Sequence, residues 1–162
     1  MRQVVREFGL DPERIGEAAL APDQVAGYVE VHLEQGPLLE KLGQPVGVVE
    51  AIAGQERFVL EFRGHAGHAG TVPMEIRRDV AVGLARMILT VRDLARATEG
   101  LRATVGSMHV EPNVRNVIPG RARFTVDVRH ADDALRRAAI QELLTRCGEV
   151  ARDDGLEWAV LR

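Results

Sequence analysis

Hydrophobic and polar positions alternate over Arg57–Arg63: Phe58, Leu60 and Phe62 take one side, Arg57, Glu61 and Arg63 the other. A period of two predicts a strand with one buried face. A different period follows. From about Glu75 to Ala97 the apolar residues Ile76, Val80, Leu84, Met87, Ile88, Val91 and Leu94 recur at helical spacing. Ala103–Glu111 reads as a strand, and Ala122, Phe124, Val126 and Val128 mark another over Arg121–Arg129. Asp132 and Asp133 stand where a helix N-terminus favours negative charge. Leu135, Ala139, Leu143, Cys147 and Val150 form the next apolar stripe, and Glu157–Leu161 is a closing strand. The order β-α-β-β-α-β predicts an α+β fold, a ferredoxin-like sandwich with two helices on one face of an antiparallel sheet. That fold hosts many functions, so it does not choose one.

The N-terminal part is more broken. Asp11-Pro12 resembles an N-cap and first-turn proline, opening a short helix through Ile15 and Ala19. Tyr28–Leu33 alternates, with Val29, Val31 and Leu33 opposite Tyr28, Glu30 and His32, which predicts a strand. Glu34–Leu42 reads as a helix stopped by Gly43, and Val46–Ala53 as a second, mostly apolar strand. These pieces offer too little apolar surface for a core of their own. The expected organisation is therefore a segment over 1–53 and a domain over 54–162.

Composition narrows the classes. Hydrophobic content of 46% and charged content of 28% are those of a soluble globular protein. A net charge of −3 gives no case for nucleic acid or an anionic membrane. No apolar run is long enough to span a bilayer, and Met1–Glu7 lacks a signal-peptide core. The single cysteine, Cys147, excludes an internal disulfide and fits a reducing compartment, so the expected location is cytoplasmic.

Three short pieces carry candidate chemistry. They are Val31-His32-Leu33-Glu34-Gln35-Gly36-Pro37, the small-residue loop Gly64-His65-Ala66-Gly67-His68-Ala69-Gly70-Thr71-Val72-Pro73-Met74, and Asn116-Val117-Ile118-Pro119-Gly120. Singly, each has a plainer reading: a strand histidine, a tight turn, a strand connection. In order and spacing the three resemble the metal-dependent amidohydrolases that cleave N-carbamoyl amino acids and allantoate. That family includes N-carbamoyl-L-amino-acid hydrolase, allantoate amidohydrolase and β-ureidopropionase, relatives of the di-zinc aminoacylases. The resemblance runs from about Leu10 to the end and matches the middle of such an enzyme.

The resemblance implies a role for each matching residue. His32 would be a metal ligand, which suits an imidazole and a first-row ion. Gln35 and Asn116 would contact substrate, and Glu34 would be structural. His68 would donate to the developing oxyanion of the attacked carbonyl. Arg129 would grip the substrate carboxylate with its guanidinium fork, with Arg121 and Arg123 as competitors on the same strand face. The family's other ligands lie in His-x-Asp and Glu-Glu motifs and a distant histidine. This chain has no Glu-Glu pair. His130-Ala131-Asp132 has the right spelling in the wrong place, so His130 reads as a turn residue and Asp132 as helix-terminal.

The resemblance thus implies the lid, or dimerisation, part of a hydrolase acting on a small-molecule substrate, over 54–162, with a partial segment of its α/β catalytic domain over 1–53. The complete enzyme would hold two divalent ions, Zn or Mn, and would pair as a homodimer through the sandwich. The chain alone is expected to bind no metal stably and to be inactive. The alternative is a free-standing dimerisation or binding module without catalysis.

Overall fold

The computed structural model describes residues 1–161; the last residue of the expected 54–162 domain lies outside them. The chain forms two compact units, Met1–Val48 and a second beginning at Val49. No helix among the described residues is long and apolar enough to cross a membrane.

The first unit holds α1 (Arg2–Glu7), a 3-10 helix over Pro12–Ala18, and α2 (Leu38–Leu42). Asp11 caps the 3-10 helix by accepting the Glu13 N–H at 2.9 Å. The alternating stretch Tyr28–Leu33 is not a strand, and neither is Val46–Ala53. The reason is physical: a strand needs a partner for its backbone groups, and none among the described residues pairs with these segments. Val29 and Val31 are accordingly 92% and 97% exposed. The alternation survives in the side chains, because Tyr28 Oη donates to Glu30 Oε2 at 2.8 Å and His32 Nδ1 lies 3.0 Å from Glu30 Oε1. Helix α2 starts at Leu38 rather than Glu34. Glu34 instead accepts the Leu38 and Leu39 N–H groups, at 2.8 and 3.1 Å, and Gln35 turns left-handed with φ 53°. Gly43, at φ 64°, ends the helix as expected.

The second unit is the sandwich. Its strands are β1 (Gly54–Arg63), β2 (Gly67–His68), β3 (Arg102–Glu111), β4 (Val117–Ile118), β5 (Arg121–His130) and β6 (Glu157–Leu161); its helices are α3 (Val80–Ala97) and α4 (Asp133–Asp153). The main sheet has the order β3-β5-β1-β6 and is antiparallel throughout. β2 and β4 form a separate two-residue ribbon. The fold is the expected α+β sandwich. Leu60 and Phe62 of β1 and Phe124, Val126 and Val128 of β5 face the helices and are fully buried. Met87 and Val91 of α3 and Leu143 and Cys147 of α4 close the core over them. Burial among these groups pushes the Cys147 thiol up to about 12, so it stays protonated and inert.

One boundary differs. The helical periodicity from Glu75 is broken before α3: Met74–Ile76 is a lone 3-10 turn, and Arg77 is extended at φ −69°, ψ 141°. The helix begins where Asp79 accepts the Ala81 N–H at 2.9 Å. A capping carboxylate three residues later beat the apolar pattern, and Ile76 stays exposed.

Candidate functional site

The small-residue loop is built by close backbone approach. Gly64 donates to the Gly120 carbonyl at 2.9 Å, and the His65 N–H to the Arg78 carbonyl at 3.0 Å. A Cβ on Gly64 would lie 2.0 Å from the Arg78 oxygen, and one on Gly120 2.9 Å from the Ala66 nitrogen. Only glycine allows these segments to meet. Beyond that knot the chain runs into β2, which pairs with β4 so that His68 stands opposite Val117. The Ala69 N–H then donates to the Asn116 carbonyl at 3.0 Å. His68 and Asn116, 48 positions apart by subtraction of their numbers, therefore share one corner of the sandwich.

The imidazole of His68 is exposed and its state is specified. The Gly70 N–H donates to His68 Nδ1 at 3.0 Å. A nitrogen that accepts carries no proton, so the neutral ring holds its proton on Nε2. His68 is thus presented as a hydrogen-bond donor through Nε2.

Arg129 is elsewhere. β5 starts beside the corner at Arg121, opposite Arg63, and Arg129 lies eight positions on, opposite Gln55 and Arg102. At strand rise that is about 27 Å away. Its Nε and Nη2 donate to the two Asp127 oxygens at 2.7 and 3.0 Å, raising the Arg129 pKa. Arg129 and then Arg57 hold the Asp127 carboxyl down at about 2. One edge of the Arg129 fork is therefore occupied and the Nη1 edge is left.

The competing arginines are nearer the corner but engaged. Arg123, Arg121 and Arg63 all donate to Glu61, at 2.5, 2.8 and 2.6 Å. Glu61 is 2% exposed although it sits on the polar side of β1. Sequence alternation placed it there; its burial under three guanidiniums had no sequence signal.

Gln35 and His32 lie in the first unit. His32 is largely exposed and pairs with Glu30 alone, which holds the Glu30 pKa down. A zinc site needs three or four protein donors. Among the described residues no group of three histidines, cysteines or carboxylates could hold a metal. The residues present do not fit a bound ion.

Two further histidines have other neighbours. His130 is buried as the last residue of β5 rather than standing in the turn that the sequence suggested for it. Its Nδ1 accepts the Asp132 N–H at 2.8 Å and its Nε2 donates to the Glu99 carbonyl at 2.9 Å. Asp132 caps α4 by accepting the Ala134 and Leu135 N–H groups, which holds its pKa down. His109 lies 3.4 Å from Glu111 on the exposed face of β3.

Known proteins agree with this architecture. The chain is 40% identical over 165 residues to a probable allantoate deiminase of Oryza sativa subsp. japonica, covering 88% of this chain and 34% of that protein. It is 38% identical over 153 residues to the N-carbamoyl-L-amino acid amidohydrolase of Geobacillus stearothermophilus, covering 94% of this chain and 37% of that one. A solved amidase of the hydantoinase/carbamoylase family from Burkholderia multivorans superposes with a TM-score of 0.78 at 43% identity, over 80% of this chain and 32% of its own. The chain spans about a third of the length of these relatives. Residues 51–155 match the peptidase dimerisation domain, and the chain belongs to that family.

Proposed function

We propose that this chain is the dimerisation and substrate-binding part of an amidohydrolase that cleaves the linear C–N amide of an N-carbamoyl amino acid or of allantoate. The observation that carries the reading is the corner where His68 offers a fixed Nε2–H beside Asn116. A donor held ready for an oxygen that becomes negative during acyl transfer needs no reorganisation at the moment of reaction. Asn116 and Gln35 orient the substrate, and Arg129 takes its carboxylate through the free guanidinium edge. His32 contributes one ligand to a centre whose other donors lie outside these residues. The segment over 1–53 belongs to the catalytic domain and 54–162 to the lid.

Distance decides how Arg129 takes part. Residues at opposite ends of a strand about 27 Å long cannot grip one small substrate, so His68 and Arg129 of a single copy serve different sites. A homodimer supplies the missing half. If two copies pair antiparallel through β3, the Arg129 end of one sheet lies beside the His68 end of the other.

The test is made in a complete enzyme carrying these residues. His68→Ala lowers kcat by about 10² to 10³ with metal content unchanged. His32→Ala lowers metal occupancy, and Arg129→Lys raises KM because an ammonium cannot reproduce a fork. Mixing inactive His68→Ala and Arg129→Ala subunits restores roughly a quarter of wild-type activity, since half the dimers are mixed and each has one intact site. No recovery on mixing would overturn the shared site. The 162-residue chain alone, supplied with Zn²⁺ or Mn²⁺, releases no ammonia from either substrate.

A further inference from the structure

Arg77 falls outside every motif quoted above, yet its side chain is the clasp of the His68 loop. It sits on the extended step between the 3-10 turn and α3, partly buried. From there the guanidinium reaches back along the chain. Its Nε donates to the Val72 carbonyl at 3.1 Å and its Nη2 to the Ala69 carbonyl at 2.6 Å. Those two carbonyls flank Gly70-Thr71, the turn that supplies the N–H bonded to the His68 ring. The same turn is closed by Thr71 and Val72 N–H groups donating to the His68 carbonyl, each at 3.2 Å.

We propose that Arg77 is the positioning residue of His68. By tying the carbonyls on both sides of the turn it fixes where the Gly70 N–H points, and so fixes the ring with its proton on Nε2. The catalytic meaning of this clamp rests on the role proposed for His68; the clamp itself does not. Geometry explains why an arginine is used. Two carbonyls on either side of one turn need two N–H groups in a rigid plane, whereas an ammonium is a single point of charge on a flexible stem. Without the clasp, the turn keeps its two 3.2 Å bonds to the His68 carbonyl and the Ala69 bond to Asn116, but nothing ties the Ala69 and Val72 carbonyls together, and a solvated imidazole samples both tautomers.

The experiment is nuclear magnetic resonance on the full 162-residue chain. Long-range proton–nitrogen correlation reads the His68 tautomer, and amide exchange reads the turn. In the wild type the ring is the Nε2–H form, and the Arg77 Nε–H is slow to exchange. Arg77→Ala mixes the tautomers and speeds exchange at Thr71 and Val72 roughly five- to tenfold. Arg77→Lys recovers only part of this. In a complete enzyme Arg77→Lys lowers kcat and leaves KM unchanged. An unaltered tautomer and unaltered exchange in folded Arg77→Ala would overturn the clamp. So would a freely exchanging Arg77 Nε–H in the wild type, a reading that needs no variant to fold. The two ideas separate cleanly. A ring that responds to Arg77 while His68→Ala leaves kcat intact defeats the role of His68 alone; a ring indifferent to Arg77 while His68→Ala loses kcat defeats the clamp alone.

Discussion

Glu61 is the residue whose surroundings depart furthest from its sequence position. A carboxylate on the polar side of a strand is ordinarily solvated, yet this one is covered by the guanidiniums of Arg123, Arg63 and Arg121. The hydrogen bond from Arg123 is the largest cause holding its pKa down, to about 2. A folded-state pKa below the unfolded one means that the unfolded chain binds the proton more tightly. The contribution is therefore complete above the ordinary carboxylate range, near 4.5, and is lost as pH falls towards 2. Asp127 titrates in the same window. Replacing Glu61 by Gln keeps the shape and removes the charge that three arginines share. The expected cost at neutral pH is about 1–3 kcal/mol, kept below the fully buried case because the arginine side chains remain partly solvated. Urea midpoints of both proteins between pH 7 and pH 2 check this. The gap between them should close as the wild-type carboxyl takes its proton, and a gap independent of pH would remove the electrostatic account.

At the scale of elements, two helical glycines separate propensity from packing. Glycine in a helix interior costs about 1 kcal/mol relative to alanine. A Cβ on Gly148 of α4 would meet the Trp158 ring at 3.6 Å, an ordinary contact, so Gly148→Ala should stabilise by about that amount. A Cβ on Gly83 of α3 would lie 2.6 Å from Leu156 Cδ1, with the Phe62 ring at 3.4 Å behind. Both neighbours are buried, and overpacking of about 1–3 kcal/mol exceeds the propensity gain. Gly83→Ala should therefore lower the thermal midpoint while Gly148→Ala raises it; a shift of the same sign in both would mean that packing does not decide. The same contest explains what the sequence disclosed. Where a period of two or 3.6 feeds a buried face, as over Phe58–Phe62 or Ala139–Val150, the element is where the pattern put it, although Leu135 at the head of the α4 stripe stays exposed. Tyr28–Leu33 has the period without a partner, and so no strand. Helix α3 has its period extended into Met74–Ile76, but Asp79 sets the start. The site behaves likewise: His68 and Asn116 are legible as motifs, whereas Arg77 and Glu61 act through folding back on distant backbone and side chains, which no local spacing encodes.

For the whole molecule the decisive fact is that, among the described residues, β3 pairs with β5 on one side only. A strand edge with unpaired N–H and C=O groups is a template for another strand. Beside it, between α3 and β3, runs a groove with an apolar floor of Ile88, Val91, Ala95, Leu101, Ala103 and Val105, also lined by Arg92, Arg96 and Arg102. The apolar floor next to an open edge suits isologous pairing, since the same patch serves both copies and the assembly closes at two, provided the arginines stay in solvent at the rim. Antiparallel alignment of the two β3 strands would set the Arg102 end of one against the Glu111 end of the other. Arg129 lies opposite Arg102, and Glu111 opposite Arg121 at the His68 corner. The pairing that satisfies the edge therefore also joins the two halves of the proposed site. Sedimentation equilibrium should give a dimer in the micromolar range. Ile88→Glu places a charge in the groove at a position already 36% exposed in the single chain, so the fold should survive and dimerisation weaken on the order of tenfold or more. If the wild-type chain stays monomeric at high micromolar concentration, the edge has another partner and the shared site loses its geometric basis.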